Sequence, residues 1–176
     1  RSFYTNDKPI ETPSDLNGLK IRVLNSPTAV ATVRALGGAA TPVAWGELYT
    51  ALQQGVVDGA ENNPPSYYLS RHYEIARYYS LDEHTSVPDV MLASLPVWES
   101  LNEQQRTWLT KAMEDSVEYQ RELWKTSTQA SLEKVKAEGV TVITPDKAPF
   151  VEAVKPFHKS FEDTPIGDLI TQIKAM

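Results

Sequence analysis

Arg22, Asn62 and Trp45 are the residues whose types and positions could do chemistry in this sequence. Leu19-Lys20-Ile21-Arg22-Val23-Leu24 alternates with a period of two, as a strand with one buried face does. Leu19, Ile21 and Val23 then share one face, and Lys20, Arg22 and Leu24 the other. Arg22 sits near the end of that strand, just ahead of a helix start at Ser26-Pro27. In open α/β sheets, small molecules bind in the crevice beyond the carboxyl ends of the strands. A guanidinium placed there presents a planar fork that matches a carboxylate through two parallel hydrogen bonds. Asn62 closes the next strand candidate, Val56 to Glu61, at an equivalent level and offers both a donor and an acceptor. Trp45 lies in the intervening loop and could supply an apolar or stacking wall. A plainer reading also fits. Arg22 is then an exposed strand charge, Asn62 a cap for the helix begun by Asn63-Pro64-Pro65, and Trp45 a core residue. Pattern alone favours the plainer reading.

Other chemistries find no support. There is no GxGxxG and no P-loop; Gly37-Gly38 and Gly55 follow helices, where they act as stops. The three histidines, His72, His84 and His158, lack metal-like spacing with carboxylates. His72 and His158 read as packing or surface residues. With no cysteine, disulfides, thiolate metal sites and thiol nucleophiles are excluded. No Gly-x-Ser-x-Gly elbow is present. Asp58 and Glu61, three apart on a strand, face opposite sides and cannot easily pair as acid and base. No cofactor and no metal is therefore expected. The net charge of −6 argues against nucleic acid as a partner, because phosphate neutralisation needs a basic face. It does not argue against a small anion, since one well-placed arginine outweighs a diffuse field at short range.

The positioning elements follow an α/β grammar. Hydrophobic residues make up 41% and charged residues 23%, enough apolar content for a packed core in 176 residues. Thr12 to Gly18 reads as one helical turn, and a helix runs from Ser26 to Gly37. A short extended piece spans Ala40 to Val43, and Glu47 to Gln54 forms a second helix. Leu19 to Glu61 thus alternates strand and helix, with parallel or mixed pairing expected. Val90 to Ser94 is apolar enough for a central strand. Asn102 and Gln105 form a cap for the longest helix. That helix runs to Gly139, either bracing two lobes or bending near Lys125 to Thr128. Val140 to Ile143 is a last strand. Phe150 to Phe161, interrupted at Pro156, and Ile166 to Met176 are terminal helices. No run approaches the ~18 apolar residues of a membrane span. The chain opens at Arg1-Ser2-Phe3-Tyr4 without a signal peptide or an initiator Met, which reads as a mature fragment or a chain whose upstream part is missing.

Several separated motifs occur together in register. They are Gly18-Leu19-Lys20-Ile21-Arg22-Val23, Pro42-Val43-Ala44-Trp45-Gly46-Glu47-Leu48-Tyr49-Thr50-Ala51-Leu52-Gln53, and Val57-Asp58-Gly59-Ala60-Glu61-Asn62. Tyr73-Glu74, Tyr78-Tyr79-Ser80-Leu81, His84 and Trp98-x-x-Leu101 continue the pattern. In order and spacing the sequence resembles the substrate-binding proteins of TRAP transporters, the DctP family, over essentially its whole length. The resemblance implies a two-lobed, periplasmic protein of the type II binding-protein architecture, with a mixed sheet in each lobe and a long helix bracing both. It implies a binding protein rather than an enzyme, which delivers a small organic acid to a membrane permease driven by an ion gradient. The family's selectivity arginine falls on Arg22, its ligand-contacting asparagine on Asn62, its aromatic cleft residue on Trp45 and a second arginine on Arg1. Glu47, Glu83 and His84 border the same loops and are candidate contacts to ligand hydroxyls. By the same resemblance, residues 1–87 and 129–176 form the second lobe, and 88–128 return to a first lobe that is largely missing. Without that lobe, exposed apolar surface could drive self-association. Asp82-Glu83-His84 and the Glu61 to Tyr68 run favour a sugar acid such as a hexuronate, with a C4-dicarboxylate next. Two alternatives are an α/β enzyme, with Arg22 as anchor and His84 as general base, and a structural fragment without ligand.

Overall fold

The computed structural model describes residues 1–175. Six strands form one sheet: β1 (Ser2–Thr5), β2 (Lys20–Val23), β3 (Ala39–Pro42), β4 (Gly59–Asn62), β5 (Tyr78–Ser80) and β6 (Thr141–Ile143). Their order is β3-β2-β4-β1-β5-β6. β2 pairs in parallel with β3 and β4, β5 pairs in parallel with β6, and β1 runs antiparallel between β4 and β5. The fold is therefore α/β with a mixed sheet, as the strand–helix alternation predicts.

Seven helices accompany the sheet among the described residues: α1 (Pro27–Ala35), α2 (Leu48–Gln53), α3 (Pro64–Leu69), α4 (Leu95–Ser100), α5 (Glu103–Ala137), α6 (Ala148–Lys159) and α7 (Pro165–Lys174). Their starts are chemically explicit. The Ser26 hydroxyl accepts from Ala29 N–H ahead of Pro27, and Asn63 accepts from Ser66 N–H ahead of Pro64. Asn102 and Gln105 satisfy each other's backbone N–H groups in a capping box.

Two apolar clusters fill the two faces of the sheet. On one, Tyr4, Ala60 and Tyr79 pack with Leu48 and Leu52 of α2, Tyr67 of α3 and Val135 of α5. On the other, Phe3, Ile21 and Val23 pack with Val33 and Leu36 of α1 and Phe150 of α6. Strand alternation assigns each residue its side. Phe3, Ile21 and Glu61 turn one way; Tyr4, Arg22, Ala60 and Asn62 turn the other.

Four expectations are corrected. Val90 to Ser94 is not a strand; it is an exposed extended segment, with Leu92 85% accessible. No strand among the described residues pairs with it, so its apolar run has no sheet in which to be buried. Pro156 does not interrupt α6, which runs through it from Ala148 to Lys159. An internal proline removes one backbone bond, and here the flanking turns carry the helix across. The helix expected at Glu47 opens earlier, with a 3₁₀ turn at Trp45–Glu47 that leads into α2. The long helix does not bend into two; α5 is continuous over 35 residues, about 52 Å at 1.5 Å per residue. β1 and β5 had no sequence reading as strands. Both are three or four residues long and fully flanked by other strands, so neither shows the polar alternation that marks a half-exposed strand.

Candidate functional site

The carboxyl ends of β2 and β4 meet the start of β1 and the end of β5 along one rim of the sheet. Parallel pairing sets Arg22 beside Ala60, and Asn62 lies two residues further along β4 on the same face. Ser2 of β1 stands opposite Asn62. The rim thus gathers residues far apart in sequence onto two small patches, one per face.

The first patch holds Arg22, Asn62 and Trp45. Arg22 is only 3% exposed, yet no carboxylate among the described residues pairs with it. Its Nε donates to the Val43 carbonyl at 2.8 Å, and its two Nη groups donate to no acceptor among the described residues. Its Cζ lies 5.5 Å from the centre of the Trp45 ring, a cation–π arrangement that orients the fork without neutralising it. Burial holds its pKa below the ordinary arginine value, with Tyr4 and Glu61 pulling the other way. Trp45 is 43% exposed, so it walls the patch while one side faces solvent. Asn62 is buried, and its Oδ1 accepts from Asn63 N–H at 2.9 Å. That bond fixes the amide orientation and leaves Nδ2 as the outward donor.

Behind this patch lies a residue that reads as simple packing from sequence. His72 is 2% exposed, its Nδ1 is 2.9 Å from the Tyr4 hydroxyl, and its ring meets Trp45 edge-on at 5.1 Å. Burial, reinforced by the Arg22 charge, pushes its pKa down to about 4. The neutral imidazole props Trp45 against Arg22 and adds no competing charge.

The second patch, on the opposite face, is an ionic network. Arg1 donates to both Glu61 oxygens, Nε to Oε2 at 2.5 Å and Nη2 to Oε1 at 2.8 Å. His84 Nε2 lies 3.7 Å from Glu61 Oε2, and its Nδ1 lies 2.6 Å from Asp82 Oδ2. Phe3 stacks on the His84 ring at 4.1 Å, and its N–H donates to Asp82 Oδ1. Burial alone would raise the Glu61 carboxyl; the bonds from Arg1 and His84 outweigh it and hold it below the ordinary value. Burial alone would lower His84; Asp82 and Glu61 outweigh it and raise the imidazole. Arg1, Glu61 and His84 line a cavity of about 320 Å³ together with Val23, Leu24 and the 84–87 loop.

The structure therefore brings Arg22, Asn62 and Trp45 together, and separately joins Arg1 to His84 through Glu61. Glu83 and Glu47 join neither set. Glu83 is exposed, adopts a left-handed backbone (φ 51°) and pairs with Lys147. Glu47 is exposed at the end of its 3₁₀ turn and forms no ion pair among the described residues. Three residues escaped the sequence reading: Glu61 as partner of Arg1, Asp82 as partner of His84, and His72 as a prop. Only the second left a signal, because Asp82 and His84, two apart in an extended segment, share a side. No group of three or more His, Asp or Glu side chains suited to a metal ion occurs among the described residues.

Comparison with known proteins gives this geometry a family. The family model for DctP, bacterial extracellular solute-binding protein family 7, matches residues 1–164. A solute-binding protein of Chromohalobacter salexigens is 43% identical over 177 aligned residues, covering 99% of this chain and 53% of that protein. Among solved structures, a TRAP periplasmic solute binding protein of C. salexigens with bound D-glucuronate superimposes with a TM-score of 0.94 at 42% identity, covering 99% of this chain and 59% of that one. One from Xanthobacter autotrophicus Py2 with bound β-D-galacturonate gives 0.90 at 46% identity, covering 99% and 58%. The chain spans about half the length of the curated relatives it matches. With a family model over nearly its whole extent and relatives above 40% identity, the chain belongs to the DctP family of bacterial extracellular solute-binding proteins.

Proposed function

We propose that this chain supplies one wall of the ligand cleft of a periplasmic TRAP solute-binding protein that takes a hexuronate and passes it to a membrane permease. The observation that carries this reading is the state of Arg22. A buried guanidinium with no internal carboxylate keeps its charge and its paired Nη donors for an external anion. Asn62 adds an outward amide donor on the same face, and Trp45 adds a flat apolar wall suited to the carbon face of a sugar ring. Relatives bound to D-glucuronate and β-D-galacturonate supply the solute class.

On this reading, residues 1–87 and 129–176 form one lobe and 88–128 reach toward another. The burial pattern supports that division: in α5 only Ser131 and Val135, near its end, are buried, while Val90, Leu92 and Trp108 are exposed. The patch is then an open wall that a second lobe completes by hinge closure. No bond of the solute changes in this scheme, so no residue is assigned a catalytic role.

Calorimetry with D-glucuronate, D-galacturonate and succinate tests the reading. Binding of the two uronates ahead of succinate is expected. Arg22→Ala is expected to weaken uronate binding by about 3 kcal/mol or more, as for loss of one member of a buried charge pair. Unchanged affinity in that variant refutes the assignment of Arg22, and succinate outcompeting both uronates refutes the solute class.

A further inference from the structure

Trp45 stands on a 3₁₀ turn and is 43% exposed, so its orientation depends on the groups that meet its protein side. Two of them are Arg22, whose Cζ lies 5.5 Å from the indole centre, and His72, whose ring centroid lies 5.1 Å away with the planes at 64°. Arg22 is long and flexible. His72 is a rigid ring on a short stem, and it is anchored at its far side. Its Nδ1 lies 2.9 Å from the Tyr4 hydroxyl, and Tyr4 is fully buried against Tyr67 and Tyr79. The Tyr79 hydroxyl in turn donates to the Asn62 carbonyl at 2.8 Å. One aromatic cluster therefore backs both the indole and the strand end that carries Asn62.

The turn that carries His72 is also tied to the helix that follows Trp45. His72–Glu74 forms a 3₁₀ turn behind Arg71, whose backbone is left-handed at φ 58°. Glu74 accepts from the Tyr49 hydroxyl at 2.7 Å and pairs with Arg71 at 2.6 Å. Tyr49 lies in α2, which continues the turn of Trp45. His72 and Glu74 thus hold the same stretch of chain at two points.

We propose that His72 is a positioning residue that sets specificity through Trp45: by holding the indole in one orientation beside Arg22, it favours a ring-shaped uronate over an open-chain dicarboxylate. This rests on the hexuronate reading above. Both kinds of solute offer a carboxylate to the Arg22 fork. Only the sugar ring also offers a carbon face that can lie on a fixed indole. Without His72 the indole gains rotamers, and ordering it again on binding costs affinity. That cost falls on the solute that uses the wall. Burial, with the Arg22 charge, holds the imidazole pKa at about 4, so at neutral pH the prop brings no second cation to the patch.

Calorimetry of the full chain with D-glucuronate and succinate tests this, read as the ratio of the two affinities. His72→Ala should cut the ratio by about fivefold to tenfold, through weaker glucuronate binding with succinate binding held. Tyr4→Phe removes one oxygen and keeps the packed ring, so the fold is retained. It frees His72 from its anchor and should lower the ratio by about twofold to threefold. Tyr4→Phe combined with His72→Phe replaces the bonded pair by two packed rings and should bring the ratio back toward wild type. Fluorine NMR of the ligand-free chain carrying fluorinated tryptophan follows the wall itself. The Trp45 signal, identified by its loss in Trp45→Phe, should shift and broaden in His72→Ala, while those of Trp98, Trp108 and Trp124 stay in place. An unchanged ratio in His72→Ala, equal weakening of both solutes, or an unmoved Trp45 signal overturns this proposal alone. Failure of the wild-type chain to prefer D-glucuronate over succinate overturns the hexuronate reading and this proposal with it.

Discussion

On the proposed reading, Arg22 serves binding rather than folding. Its guanidinium gives up water for a single carbonyl bond and one aromatic face, and an unpaired buried charge weighs against the folded state. Arg22→Met is therefore expected to raise the thermal midpoint by a few degrees while abolishing uronate binding, the exchange of stability for function seen at many sites. A thermal melt of the two proteins, read beside calorimetry, checks both halves. The two buried histidines make opposite contributions to stability. His72 titrates near 4 in the folded chain and near 6.5 in the unfolded one, so the unfolded state binds more protons between those values. Stability is expected to fall by about 2–3 kcal/mol as pH drops through that window. His84, with its raised value, contributes stability that is full below the ordinary histidine pKa and is lost as pH rises through its folded value. Urea melts of His72→Gln should lose the acid-side slope, and those of His84→Gln the alkaline-side slope. At this scale the sequence was legible where chemistry repeats locally. Arg22 and Asn62 each stand at a recognisable strand end. The Tyr4–His72 and Arg1–Glu61 pairs were not legible, because partners 68 and 60 residues apart meet only once β1 is inserted beside β4.

Among the elements, β1 and β4 set the site, and their spacing is fixed by Gly59. A Cβ there would lie 2.5 Å from the Tyr4 carbonyl oxygen and 2.8 Å from Thr5 Cγ2. Gly59→Ala is expected to push β1 away and cost about 2–4 kcal/mol, in the range of overpacking and backbone displacement. Guanidinium melts measure that cost. Loosening of the Arg1–Glu61 bond should accompany it, visible as a lower NMR midpoint for His84. In contrast, Asn102→Ala removes a cap from an exposed helix start and should cost only about 1 kcal/mol. Helix positions followed well from sequence, because caps such as Ser26-Pro27 and Asn63-Pro64 state their function in adjacent residues. Strands followed less well. β1 and β5 are short and lie between other strands, so their identity depends on neighbours. Val90 to Ser94 has a strand's composition without a strand's partner.

Across the whole molecule, polar and apolar surfaces are unevenly shared. Val87, Val90, Met91, Leu92, Trp108, Leu109 and Trp124 are all exposed within one stretch of chain, from the 84–94 loop into α5. Exposed large apolar side chains in this number favour association. Sedimentation of the chain is expected to show concentration-dependent self-association, relieved by Leu92→Glu together with Trp108→Glu; a monomer at all concentrations would argue against an apolar contact there. The same helix has a mechanical side. Its backbone bonds continue from Glu103 to Ala137, while only its last turns are gripped by the core, through Ser131 and Val135. A stiff rod held at one end is a lever. A tilt of about 5° at Val135 sweeps the far tip by about 4–5 Å over a shaft rising 1.5 Å per residue. Small adjustments beside the sheet are thereby magnified at Glu103, where a probe on the first turn would read them directly.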